Sequence, residues 1–589
     1  MRRFFVGLFA IIGIVAFVVV LGVVGITVAL VRFSSATPLP ETIVLTVDLT
    51  GGLGDGADPD PASRLFFGKK ATLRDFVDAV DRAAEDPRVK SLFVELGDDS
   101  LGLAKTQQVR DTIAAFRAKG KFAVAFADTF GEGGPGTRPY YLATACDEIW
   151  LQPLGQVGLT GLRSETPFLR GLFDKLGITA DFEHREEYKT AMNSFTETRM
   201  TGPQREEVEA LLASVAGQID RGIAAARKLT PDQVAALTDR APLSASEAQA
   251  QGLVTKIGYR DQALNAARAH AGGGAKFMTF SRYLKAAGRP HASGSEIALI
   301  YGTGLITRGA GAGALSAEND FGARAIGRAF AAASRNKDVR AIVFRIDSPG
   351  GSATASETIW RDVEEARQRG KPVIVTMGDV AASGGYYVAA PADKIVAEPA
   401  TLTGSIGVLA GKIVVGGLMQ KLGITTDAAE RGANAGMFSA TQGFSPQARE
   451  RLEAELDDTY AGFKDRVATG RHMSADAVEA VAKGRVWSGE DAKEKGLIDV
   501  LGGYETALDL AREAAKLPQD APIDIVVYPR ERGVMTALFD RLFGRDEDDT
   551  NAAGAFERGL TALRMLIATT EAAIDAPGVL RMPPIGDIR

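Results

Sequence analysis

Residues 341–377 read AIVFRIDSPGGSATASETIWRDVEEARQRGKPVIVTM, and three kinds of pattern follow one another in them. AIVFRID is the short, β-branched apolar run of a buried strand. SETIWRDVEEARQRG spaces its apolar residues for one face of a helix and stops at a glycine, and KPVIVTM is a second strand. Strand, helix and strand in that order require a right-handed crossover, and so a parallel sheet. The expected class is α/β.

The same pattern occurs earlier in the chain. VRAIVFRIDSP from Val339 is echoed by VKSLFVELGDD from Val89, and GKPVIVTMGDV from Gly370 by GKFAVAFADTF from Gly120. YYVAAPADKIV at Tyr386 matches YYLATACDEIW at Tyr140, and LMQKLGITTDAAER at Leu418 matches LFDKLGITADFEHR at Leu172. SGEDAKEKGLIDVLG at Ser488 matches SASEAQAQGLVTKIG at Ser244. A repeat of this length is a duplicated domain. The first copy is expected over 40–270 and the second over 296–517, with a glycine-rich linker at 271–295 and a tail at 518–589 that contains the strand-like run IDIVVYP.

Two or three domains suit a chain of 589 residues. The net charge of −6 offers no basic surface, so a nucleic-acid partner is not expected. The lone cysteine, Cys146, excludes an intramolecular disulfide and a thiolate zinc site. His184, His270, His291 and His472 show no ligand spacing, so neither a metal nor another cofactor is expected.

Phe4–Val31 is an uncharged apolar run. As a helix rising 1.5 Å per residue it would reach about 42 Å, more than the ~30 Å of a hydrocarbon core. Residues 1–36 are therefore expected to be one transmembrane anchor, leaving membrane lipid as a partner. A cleavable leader is the rival reading, with SSA before Thr37, but such leaders have shorter apolar regions. Arg2 and Arg3 should stay cytoplasmic and send the rest of the chain across, in a bacterium to the periplasm or cell exterior. The expected localisation is the inner membrane, with the folded domains in the periplasm.

Chemistry is suggested by GDVAASGGYY, residues 378–387. Ser383 falls where a strand turns into a helix, a corner that exposes a side chain and directs helix N-terminal amides towards it. The preceding strand ends in DSPGG, so the amide of Gly384 and one from Gly350 or Gly351 can hold an oxyanion. A serine that only caps a helix is the alternative. The first copy acts as a control: its corner reads GEGGPGTRPYY, with no serine, and its glycine pair is replaced by GDD at 97–99. A serine nucleophile needs a base, yet no histidine occurs between residues 292 and 471. That leaves a lysine kept neutral by burial, with its pKa brought from about 10.4 to about 7–8. Composition does not say which lysine.

IDSPGG, GDVAASGGYY and TLTGSIGV in the second copy, with REEYKTAMNSFTE in the first, closely resemble the long, duplicated form of signal peptide peptidase A. The resemblance implies two tandem Clp/crotonase-like ββα spiral domains with parallel sheets behind an N-terminal membrane helix. It also implies a serine-lysine dyad, with Ser383 as nucleophile, Lys189 as general base and Ser405 orienting the lysine. The glycines after DSP and after the nucleophile match oxyanion donors. Peptide substrates, namely remnant signal peptides, and a homo-oligomer are implied as well. The repeat is consistent with this assignment: aligning KLGIT of both copies sets Lys189 against Ala435, so each copy carries half a site. Two other functions remain to be separated, a crotonase-like acyl-CoA enzyme and a non-catalytic membrane scaffold.

Overall fold

The computed structural model describes residues 39–55, 71–97, 101–309, 321–529 and 579–581. The expected anchor, Phe4–Val31, lies outside the described residues. Among the described residues no helix is long and apolar enough to cross a membrane.

The duplication is explicit in the sheets. In the first copy Lys256–Ile257, Glu148–Leu151, Phe122–Ala127, Val89–Leu96, Ile43–Asp48 and Lys276–Thr279 lie side by side, every pair parallel. In the second, Val500–Leu501, Lys394–Ala397, Val373–Ala382, Val339–Ser348, Ser295–Thr303 and Ile523–Tyr528 repeat that order, again parallel. A further strand, Leu402–Gly404, joins the end of Val373–Ala382 and carries Val486–Ser488 antiparallel to it. Strands such as Val339–Ser348 are buried on both faces, which is why they read as continuous apolar runs rather than as an alternation.

Side chains repeat with the strands. Tyr140 donates its hydroxyl to Leu253 O and Tyr386 donates to Leu497 O. Lys121 Nζ donates to Asp86 O and Val89 O, while Lys371 Nζ donates to Asn336 O and Val339 O. His472 is the left-handed C-cap of the helix Pro446–Arg471, as Lys228 is of Gly202–Arg227. Its place is structural.

Two boundaries differ from the sequence reading. The stretch 271–295 is not a plain linker, because Lys276–Thr279 completes the first sheet beside Ile43–Asp48 and the helix Phe280–Ala287 packs under it. The second copy runs past residue 517, because Ile523–Tyr528 pairs with Ser295–Thr303.

The copies interlock. Thr179–His184 of the first copy leaves its own body and pairs antiparallel with Leu409–Val414 of the second. Between the bodies Lys105 Nζ of the first copy lies 2.9 Å from Asp347, 3.1 Å from Asp379 and 3.5 Å from Asp55. Arg345 sits 3.1 Å from Asp55. Charges this deeply buried are tolerated only when paired and hydrogen-bonded. Burial and the neighbouring Asp55 carboxylate push Asp347 up to about 7. Asp347 also accepts from Val380 N at 3.1 Å, tying the strand that ends in DSPGG to the strand that ends at Ser383.

Candidate active site

Ser383 lies between the strand Val373–Ala382 and the helix Gly384–Ala389, with φ 55° and ψ −117°. A non-glycine residue held at such a φ is strained, and packing on both sides must enforce it. Its own N–H donates to Gly404 O at 2.8 Å and its carbonyl accepts from Tyr387 N at 2.9 Å. The sharp turn presents the hydroxyl beside the first amides of the helix.

Gly384, the first residue of that helix, sits in a tight glycine corner. A Cβ at Gly384 would lie 2.7 Å from Ser356 Oγ and 3.2 Å from both Gly350 Cα and Gly351 N. One at Gly351 would lie 2.2 Å from Ile306 O. Only glycine lets these backbones approach so closely. Of the three glycines expected to hold an oxyanion, Gly350 donates its N–H to Ser348 Oγ at 3.1 Å. Gly351 lies in a strand between Ile306 on one side and Leu580 on the other.

Lys189 reaches this corner from the first copy. The strand Thr179–His184 carries the chain over the second copy, where Arg185 N donates to Val408 O at 3.0 Å and Tyr188 N to Lys483 O at 3.1 Å. Lys189 follows, with no exposed surface. Its stem runs past two glycines: a Cβ at Gly407 would lie 3.2 Å from Lys189 Cδ, and one at Gly484 would lie 2.5 Å from Lys189 N. Nζ ends 2.8 Å from Ser383 Oγ, 2.9 Å from Ser405 Oγ and 3.0 Å from Ser405 O. The two serines and the lysine thus meet within one chain.

Burial holds Lys189 well below its usual pKa of 10.5, and the Glu207 carboxylate opposes that only in part. Glu207 is itself buried, which pushes it up to about 8 although it accepts from Val486 N at 2.6 Å. A neutral amine has two N–H donors and one lone pair. Three oxygens surround Nζ, so the amine can donate twice to Ser405 and accept from the Ser383 hydroxyl. Ser405 is held by its N–H to Arg485 O at 2.7 Å and has φ 52°.

The first copy lacks this chemistry in three dimensions too. Aligning Tyr140 with Tyr386 places Thr137 opposite Ser383 and Leu159 opposite Ser405. Thr137 donates its hydroxyl to Gly161 O at 3.1 Å, and Leu159 is buried core.

Sequence reading missed Gly407 and Gly484, which make room for the lysine. Their role depends on a tertiary approach with no local signature. Gly484→Ala tests it: the added methyl meets the Lys189 backbone at a residue whose φ is +80°. The expected outcome is a drop in kcat/KM of about 10²-fold, as for other displacements of about 1 Å.

The chain matches the family model described as "Peptidase family S49" over residues 115–273 and 365–518, the first segment holding Lys189 and the second Ser383 and Ser405. It is 31% identical over 509 residues to "Serine protease SPPA, chloroplastic" of Arabidopsis thaliana, covering 85% of this chain and 73% of that one. To "Protease 4" of Haemophilus influenzae it is 30% identical over 537 residues, covering 86% and 85%. Among solved structures, a mutant of the 1510-N membrane-bound stomatin-specific protease aligns with 41% of this chain and 100% of its own, at 16% identity and a TM-score of 0.27.

Proposed function

Because the chain belongs to peptidase family S49 and is a serine peptidase, we propose that Ser383 is its nucleophile and Lys189 its general base, acting as a dyad within one chain. The observation that carries this reading is the 2.8 Å separation between a fully buried Lys189 Nζ and Ser383 Oγ. Neutral Lys189 takes the hydroxyl proton as Ser383 Oγ attacks the peptide carbonyl. Gly351 and Gly384 N–H groups stabilise the oxyanion, and Lys189 returns the proton to the leaving amine. A water activated by the same amine then releases the acyl group. Ser405 keeps the lone pair of Nζ on Ser383. The acyl-CoA reading has no support in the family match, and the scaffold reading leaves the joined half-sites unexplained.

Extended peptide is the substrate form that the site favours. Gly350–Ser352, the strand that contains Gly351, already pairs antiparallel with Val579–Arg581, a stretch of the chain's own tail, and Val579 also bridges to Leu409. An added strand on such an edge is held by main-chain bonds with little demand on sequence. Removing residues 579–589 should free this edge. A tethered competitor acts at roughly millimolar effective concentration, so KM for a soluble peptide should fall about tenfold with kcat little changed, as measured by steady-state kinetics on the truncated chain.

The finer reading is degradation of remnant signal peptides at the inner membrane, with Phe4–Val31 as anchor and the two copies in the periplasm. The apolar anchor run supports it, since it would hold the site near the lipid where such substrates lie. A homo-oligomer fits as well. The strand arm of the first copy, Thr179–His184, is paired, while its counterpart near Thr425–Glu430 in the second is exposed and without a strand. The test is incubation of the full chain in lipid vesicles with a synthetic signal peptide and with a soluble unfolded protein. Cleavage of the signal peptide within its apolar core, lost in Ser383→Ala, supports the reading. Preference for the soluble protein refutes the substrate class while leaving the dyad standing.

A further inference from the structure

Away from the dyad, the two copies form between them a pocket of about 230 Å³ that opens to solvent. The helices Leu73–Glu85 and Leu103–Ala118 of the first copy form one wall, and Glu398 with the start of the helix Tyr504–Ala514 of the second forms the other. The volume exceeds the ~150 Å³ that accepts a benzene-sized ligand.

Its lining is chemically unbalanced. Glu398 is 1% exposed, and neither carboxylate oxygen has a hydrogen-bond partner. Gln108 Oε1 and Tyr504 OH are likewise buried and unpartnered. A buried polar group without a partner is costly, and a buried acid more so. Burial, reinforced by the Asp111 carboxylate and opposed only in part by Arg345, pushes Glu398 up to about 8. A second acidic pair, Asp81 and Glu505, lines the same space, and Asp81 is pushed up to about 6 by burial and by Glu505. The one basic side chain of the lining, Lys119, is turned to Glu85 at 2.7 Å. Val77, Val80 and Phe116 supply apolar surface, with Asp111, Thr112 and Thr506 adding further polar groups. The site therefore presents acceptors at two places with apolar surface between them. Arg345, which acts on Glu398, and His291, whose Nε2 is 3.7 Å from Glu505 Oε2, lie outside the lining. Glu505 Oε1 keeps no hydrogen-bond partner.

We propose that this cavity binds an aliphatic diammonium ion, one ammonium on Glu398 and Gln108, the other at Asp81 and Glu505, with the methylene chain along Val77, Val80 and Phe116. Such a ligand touches both copies at once and clamps the interface across which Lys189 meets Ser383.

The test is calorimetric titration of the full chain with 1,4-diaminobutane at pH 7. Saturable binding is expected, weakened at least about tenfold in Glu398→Gln, equal to about 1.4 kcal/mol. That substitution keeps the shape and removes a buried acid, so the fold should survive it. Binding to the wild type should also release protons, because Glu398 ionises when the ammonium arrives. The heat should then change with the ionisation enthalpy of the buffer, and should not in Glu398→Gln. Absence of saturable binding, equal binding of the neutral 1,4-butanediol, or unchanged affinity in Glu398→Gln would each overturn the proposal.

Discussion

Lys189→Arg is expected to abolish peptidase activity, lowering kcat/KM by at least about 10³-fold, the scale on which loss of one member of a catalytic unit is felt. The substitution keeps a long cationic side chain but removes the one property the mechanism uses. A guanidinium stays protonated at any working pH and has no lone pair to offer Ser383. If Lys189 served only as a fixed positive charge, Arg would be the mildest replacement. As a base it is no better replaced by Arg than by Ala. The pH dependence follows from the same group. Burial lowers the pKa of Lys189 well below 10.5, so the amine is neutral above that lowered value and protonated beneath it. Activity should therefore be present on the alkaline side and be lost as pH falls through the lowered pKa. Profiles of kcat/KM against pH for wild type and Ser405→Ala measure it. In Ser405→Ala the amine loses the hydroxyl 2.9 Å away but keeps Ser405 O, so its base role persists with reduced kcat.

Gly384→Ala should cost about 10²–10³-fold in kcat, as removal of one oxyanion donor does, with little change in KM. Backbone conformation does not forbid alanine there, because Gly384 is not among the residues with positive φ. The obstacle is space: the new methyl would press on Ser356 Oγ at 2.7 Å and on the Gly350–Gly351 backbone at 3.2 Å. The two N–H groups that must converge on one oxygen would be pushed apart. Removing the nearer contact separates this cause from general misfolding. Combining Gly384→Ala with Ser356→Gly should recover part of kcat, and circular dichroism should report the same fold for all three chains.

The fold was legible because apolar runs buried on both faces, such as Val339–Ser348, announce parallel strands, and because the chain contains its own comparison. GTRPYY against ASGGYY set the Ser383 corner apart from its counterpart, where Thr137 is bonded to Gly161 O. The strand Lys276–Thr279 was not legible. It is four residues long with a single buried side chain, Met278, and it follows a glycine-rich stretch that reads as linker. Its identity comes from the edge of Ile43–Asp48 that it covers. Lys189 was reached through resemblance and the complementary repeat, since nothing local marks one lysine as buried. What buries it is contributed from far along the chain, by Gly407 and Gly484 beside its stem and Ser405 around its amine.

The most direct measurement is covalent labelling of the intact chain with a fluorophosphonate, read by peptide mass mapping. A single modified residue is expected, Ser383, labelled faster as pH rises, with no label in Ser383→Ala and almost none in Lys189→Ala. Label on another residue, or undiminished labelling of Ser383 in Lys189→Ala, would contradict it.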